Sequence, residues 1–197
     1  MIKKNAFNYF FLRHIALFHQ PNPLPVPEIL QPQRLSEVVD IGANPLDGGD
    51  PPYKRMLEAR LCSVTGFEPQ EQAFAALLQK NDQHERYLPY AVGDGESHIL
   101  NICRASGMTS FLEPDAKTLK LFKVLKPLGE VVNREPLQTQ RLDDITEIEH
   151  LDFLKIDIQG GELDVFKSGR QRLSEAVAIQ TEVSFVALYQ QFPFYKC

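Results

Sequence analysis

The 197-residue chain has no tryptophan, three cysteines, and no uninterrupted apolar run of membrane-spanning length. Each absence removes a class of protein. Cys62, Cys103 and Cys197 are too few and too scattered for a disulfide framework or a zinc cluster, so a reducing, cytoplasmic setting is expected. Cys62 opens an apolar run and reads as a buried small hydrophobe. The apolar stretch 6–18 is interrupted by Asn8, Arg13 and His14 and is followed by no small-residue cleavage site. It is too short and polar to span a bilayer and makes a poor signal peptide; a surface or interface helix rich in Phe and Tyr fits it better. Runs of Lys and Arg are absent too. With a net charge of −5 at pH 7, the chain is no general binder of nucleic-acid backbones. His14, His19, His84, His98 and His150 show no metal-ligand spacing, and they read as surface or packing residues.

Proline, by contrast, is concentrated. Pro21, Pro23, Pro25, Pro27 and Pro32 exclude a helix and favour an extended connector. Residues 1–34 are therefore assigned to an N-terminal helix and a Pro-rich connector, and 35–197 to one domain. The length allows one well-buried core and is short for two.

Within that domain the pattern alternates. Residues 37–41, 62–67, 87–92, 152–159 and 177–183 read as strands, and residues 53–60, 70–79 and 162–173 as helices. An additional strand is expected at 97–103, a helix at 115–124 and an extended segment at 131–141. Strands alternating with helices at these intervals imply a parallel sheet covered on both faces. Ligands in such sheets bind beyond the carboxyl ends of the strands. The polar residues of interest stand at those ends.

In VVDIGAN an apolar strand ends on Asp40 and Gly42. Gly42 lets backbone approach a ligand closely, and Asn44 suits a tight turn. Alone this motif is equally well explained as turn chemistry. In GFEP, Glu68 can accept hydrogen bonds from a ribose diol or cap the following helix. In AVGD, Val92 and Gly93 leave a slot for a flat base with Asp94 at its edge, although the tetrapeptide alone reads as a plain turn. The most informative block is LKIDIQGGE. Strand periodicity puts Lys155, Asp157 and Gln159 on one face, where charge is costly unless paired or placed at an open cleft. A Lys155–Asp157 ion pair would meet that need. A functional cleft also accounts for Gln159, Gly160, Gly161 and Glu162 following at once. Glu182 repeats the theme on the last strand.

Taken in order, VVDIGAN, GFEP, AVGD, TSFLEPD, QRLDDI, LKIDIQGGELDVF and IQTEV resemble the FkbM family of methyltransferases from about Val38 to Tyr189. The resemblance implies an α/β, Rossmann-like class I methyltransferase fold with S-adenosylmethionine as cofactor. It implies methyl transfer to a hydroxyl of a small-molecule or sugar acceptor. Asp40, Gly42 and Asn44 would surround the methionine part of the cofactor, Glu68 would hold its ribose, and Val92, Gly93 and Asp94 would border its adenine. Asp157 would stand beside the transferred methyl, with Gln159, Glu162 and Glu182 lining the acceptor side. Asp157 would position or deprotonate the hydroxyl, helped by Glu162 or Glu182, and no metal is required. Asp143 and Asp144 match a stretch taken as structural.

Two departures stand out. The segment from Pro45 to Pro52 replaces the usual glycine and short helix entry, so the loop after Asn44 must take another path. The chain also stops soon after its fifth core strand, where the fold usually continues into a helix and an antiparallel strand pair. A C-terminally truncated domain with an uncovered strand edge is expected. These departures keep a rival reading open, a degenerate cofactor-binding domain serving partner contacts. A nicotinamide-dependent oxidoreductase is disfavoured because the first turn lacks G-x-G-x-x-G.

Overall fold

The structure is a computed structural model that describes residues 33–46, 49–80 and 82–190. The segment expected to form an N-terminal helix and nearly all of the proline-rich stretch lie outside the described residues.

Among the described residues, eight strands form two sheets. β1 (Ser36–Ile41), β2 (Cys62–Phe67), β3 (Glu85–Leu88), β7 (Phe153–Ile156) and β8 (Ala178–Thr181) make a five-stranded parallel sheet of order β3-β2-β1-β7-β8. β4 (Ala91–Gly93), β5 (Ser97–Cys103) and β6 (Val131–Arg141) make the second sheet, of order β4-β6-β5. The helices are short: α1 (Lys54–Glu58), α2 (Glu71–Leu77), α3 (Ala116–Leu119), α4 (Leu125–Leu128), α5 (Glu162–Ser168) and α6 (Arg170–Leu173).

β1 sits at the centre, and its sequence shows why. The run Val38-Val39-Asp40-Ile41 is buried residue after residue, as a strand covered on both faces requires. Alternation sends Val39 and Ile41 to one face, where they pack with Phe67, Leu154, Ile156 and Val165. Val38 goes to the other face, with Tyr53, Cys62 and Val64. At about 1.5–3 kcal/mol per fully buried aliphatic side chain, these few residues supply much of what holds the sheet together.

The helix expected over 115–124 extends only from Ala116 to Leu119, and three further elements differ from expectation for a local reason. The strand expected over 87–92 is two strands, because Pro89 has no N–H to offer a ladder. β3 ends at Leu88, and Ala91–Gly93 pairs instead with Thr139–Arg141 of the second sheet. The strand expected over 152–159 stops at Ile156, since Gln159 (φ 59°) and Gly160 (φ 109°) turn the chain. The helix expected over 162–173 breaks at Gly169, where a Cβ would lie 2.5 Å from Leu142. Asp143 then accepts the N–H groups of Gln171 and Arg172 and caps α6, a structural use of the Leu-Asp-Asp stretch. β8 forms the sheet edge among the described residues, with Ile179 and Val183 exposed near it.

Candidate functional site

A cleft of about 810 Å³, its open mouth included, lies beyond the carboxyl ends of β1, β2 and β7. Ile41, Gly42 and Asn44 come from β1, Glu68 and Gln70 from the turn after β2, and Lys155, Asp157 and Gln159 from β7 and its turn. The far wall is Tyr90, Ala91 and Val92, with Leu100 and the segment Ser106–Phe111 beside it.

At the β1 end, Gly42 has φ 78°, and a Cβ there would lie 2.1 Å from the Asp157 carbonyl oxygen. No other residue allows this approach. Asp40 is buried and does not line the cleft. One of its oxygens accepts the Tyr53 hydroxyl at 2.6 Å, and the other lies 3.0 Å from the Lys155 ammonium. Lys155 also donates to the Gly42 carbonyl at 2.8 Å. The costly charge in β7 is thus paired with Asp40 across the β1–β7 ladder rather than with Asp157. Asn44 accepts the Leu46 N–H at 2.9 Å and donates to Ser106 Oγ, which in turn donates to Gln70 at 3.4 Å. This chain of polar contacts ties the loop after β1 to the segment after β5.

Glu68 lines the cleft, yet only 2% of it is exposed. One oxygen accepts the Gln70 N–H at 2.8 Å. Burial dominates its titration and pushes it from an ordinary 4.5 up to about 7, against the Gln70 hydrogen bond and the Lys155 charge. The folded protein therefore holds a proton on Glu68 that the unfolded chain has released between pH 4.5 and 7. Across that window the Glu68 contribution to stability falls as pH rises, and above it the full cost is present. Glu68→Gln is expected to remove this slope, with a gain above pH 7 of at most about 3 kcal/mol. Urea unfolding of both proteins from pH 4.5 to 8 reads it directly.

Val92 stands in the wall of the cleft, whereas Gly93 and Asp94 lie behind it. Asp94 instead accepts from the Glu96 N–H at 2.9 Å, bonds His98 at 2.8 Å and takes the Thr139 hydroxyl at 3.2 Å. These contacts hold the turn between β4 and β5.

At the other end, the Gln159 amide donates to Asp157 at 2.8 Å and to Glu182 at 2.8 Å, drawing the two carboxylates together. The crowding of protein around Glu182, followed by repulsion from Asp157, pushes Glu182 up to about 7. Tyr189, buried, donates to the Met108 carbonyl and contacts the Gln159 amide oxygen at 3.2 Å, while Ser110 donates to the Gln159 carbonyl at 2.7 Å. Glu162 lies outside the cleft lining. Its oxygens accept the N–H groups of Ile158 (3.1 Å) and Gly160 (2.9 Å), bracing the turn that carries Asp157 and Gln159.

Sequence reasoning assigned no role to Tyr53, Gln70, Tyr90 or the segment Ser106–Phe111. The Pro51-Pro52-Tyr53 run was legible only as a departure, and nothing in the sequence announced that Tyr53 reaches Asp40. Burial pushes the Cys62 and Cys103 thiols up to about 11, which keeps both protonated and unreactive. Among the described residues, no helix is long and apolar enough to cross a membrane, and no cluster of three or more His, Cys, Asp or Glu could hold a metal.

No curated protein and no solved structure matches the chain. The family model described as the methyltransferase FkbM domain matches residues 40–196, which run from the Asp40 anchor past the Asp157–Glu182 pair. With that match over most of its length, and with a five-stranded parallel sheet carrying the cleft at its carboxyl end, the chain belongs to the FkbM methyltransferase family.

Proposed function

We propose that the protein is an S-adenosylmethionine-dependent methyltransferase acting on a hydroxyl of a small molecule or sugar. The observation that carries this reading is the buried Glu68 carboxylate, which lines the same cleft as Asp157. The residues present fit the cofactor. A carboxylate at the end of β2 can accept both hydroxyls of a ribose, and Gly42 leaves room for close approach of a ligand to backbone. Tyr90, Val92 and Phe111 offer apolar surface to a flat base. Asp157, joined by Glu68 once it ionises near pH 7, favours a cation over an anion. When bound, S-adenosylmethionine supplies a methyl group already activated on a positively charged sulfur.

What remains for the protein is alignment and removal of one proton. Asp157 would accept the proton of the acceptor hydroxyl as its oxygen gains the methyl group, the carbon–sulfur bond breaking to leave a neutral thioether. Glu182, shared through Gln159, adds a second negative charge that favours proton transfer into the pair. Glu162 acts at one remove by bracing the turn. The free, buried Cys62 and Cys103 are in keeping with a cytoplasmic setting.

Calorimetric titration with S-adenosylhomocysteine tests the reading. Saturable binding is expected, and Glu68→Ala should weaken it by about 10- to 100-fold, the loss of one or two hydrogen bonds to a charged acceptor. If a folded chain shows no binding, the non-catalytic, partner-binding reading replaces this one.

A further inference from the structure

We infer that Lys155 recognises the carboxylate at the amino-acid end of the donor, and that the buried Tyr53–Asp40 pair positions it to do so. This inference rests on the cofactor reading above. Among the described residues lining the cleft, Lys155 carries the only positive charge, and the two carboxyl groups are those of Glu68 and Asp157. The donor has one anionic group, its carboxylate; its sulfur and its amine are cationic. Among the described lining residues, Lys155 is thus the one charged side chain that can pair with that carboxylate.

The geometry leaves Lys155 a donor for it. An ammonium has three N–H groups. One is donated to the Gly42 carbonyl at 2.8 Å, and Asp40 Oδ1, which takes no hydrogen bond, lies 3.0 Å away as an ion pair. No other hydrogen bond or ion pair of Lys155 occurs among the described residues. Its side chain is 18% exposed, so the group is largely desolvated without being sealed in. A charge pair in a central strand is weak as a stabilising device, because desolvation consumes most of the attraction. It serves well as a preorganised anion anchor, since its reorganisation on binding is small.

Tyr53 acts through Asp40. Its hydroxyl holds one Asp40 oxygen at 2.6 Å and so turns the other toward Lys155. Tyr53 is 2% exposed and packed against Val38, Cys62 and Val64, which fixes the hydroxyl in place. The Pro51-Pro52-Tyr53 segment, where this chain departs from the family pattern, thereby reaches the site.

The test compares two ligands on one protein. S-adenosylhomocysteine carries the carboxylate, and 5′-methylthioadenosine keeps the adenosine and the sulfur but lacks the amino-acid end. Wild type should bind the first more tightly. Lys155→Met should weaken S-adenosylhomocysteine by roughly 10- to 100-fold and change 5′-methylthioadenosine by less than about twofold, as expected for one charge-assisted contact. Tyr53→Phe should give a smaller loss with the same ligand selectivity, and Lys155→Arg should recover part of the affinity. Should Lys155→Met fold poorly, the double variant Asp40→Asn with Lys155→Met removes the stranded buried charge, and 5′-methylthioadenosine binding then reports an intact cleft. Equal weakening of both ligands, or of neither, overturns the inference while leaving the cofactor reading standing. A wild type that prefers neither ligand does the same. A folded wild type that binds neither ligand removes the cofactor reading, and this inference with it.

Discussion

Replacing Asp157 with asparagine is expected to lower kcat by roughly 10²- to 10⁴-fold, the usual worth of a general base, while S-adenosylhomocysteine affinity stays close to that of wild type. The split follows from what the substitution keeps. The Asp157 main chain is locked, its N–H donating to the Ile41 carbonyl at 3.0 Å and its carbonyl lying under Gly42. An asparagine of the same shape can still accept from the Gln159 amide, as the carboxylate does at 2.8 Å. What disappears is the charge and the capacity to take a proton, which matter as the acceptor oxygen reacts and little before. A loss confined to kcat is the signature of an interaction made in the transition state.

The pH profile gives a second readout. The protein crowded against one side of the exposed Glu182, and then Asp157, push it up to about 7, so wild-type turnover should rise through that pH as Glu182 ionises. Without the Asp157 charge, the inflection of the residual activity should move toward the ordinary carboxylate range. Full turnover in Asp157→Asn with donor binding intact would remove Asp157 from the proton transfer. An unmoved inflection would separate Glu182 from it.

The sheet was legible because its strands carry their own punctuation. Cys62–Phe67 is bounded by Arg60-Leu61 and by Glu68-Pro69, and it forms the strand its sequence indicates. Val38 to Ile41 is apolar enough on both faces to declare a central position, apart from Asp40. The split after Leu88 had a local sign in Pro89, but the partner of Ala91–Gly93 did not, because pairing with Thr139–Arg141 depends on residues 48 positions away. The site divides in the same way. Residues at strand ends, such as Gly42, Glu68 and Asp157, announce themselves through an architecture that places ligands there. Lys155 and Asp40 are register partners in adjacent parallel strands, a relation that no short motif encodes. Glu162 and Asp94 have the right composition for a site, but their oxygens are engaged by nearby backbone N–H groups, and only coordinates reveal that competition.

Gly42→Ala should combine a stability loss of roughly 2–5 kcal/mol with loss of donor binding. Two costs add. A left-handed backbone at φ 78° carries a penalty of about 1–2 kcal/mol for a residue with a Cβ. Overpacking costs about 1–3 kcal/mol more. The clash cannot relax through a rotamer, since the nearest atoms are the Asp157 carbonyl oxygen at 2.1 Å and its carbon at 3.0 Å. That carbonyl belongs to a turn fixed by β1–β7 pairing on one side and by the Glu162 contacts on the other. Gly161→Ala is the control. Gly161 has φ −88°, and its added Cβ would meet only the mobile end of Ile158, at 2.9 Å. It should cost less than about 1 kcal/mol, because a side-chain tip can yield where a carbonyl cannot. Urea unfolding at pH 7 should show a lowered midpoint and an unchanged slope for Gly42→Ala. Binding should fail at temperatures where the variant is still folded, because displacing Asp157 also displaces the Gly42 carbonyl that Lys155 holds. If Gly42→Ala proves no costlier than Gly161→Ala, the two strand ends are not pressed together in solution, and the geometry proposed for the donor site falls with them.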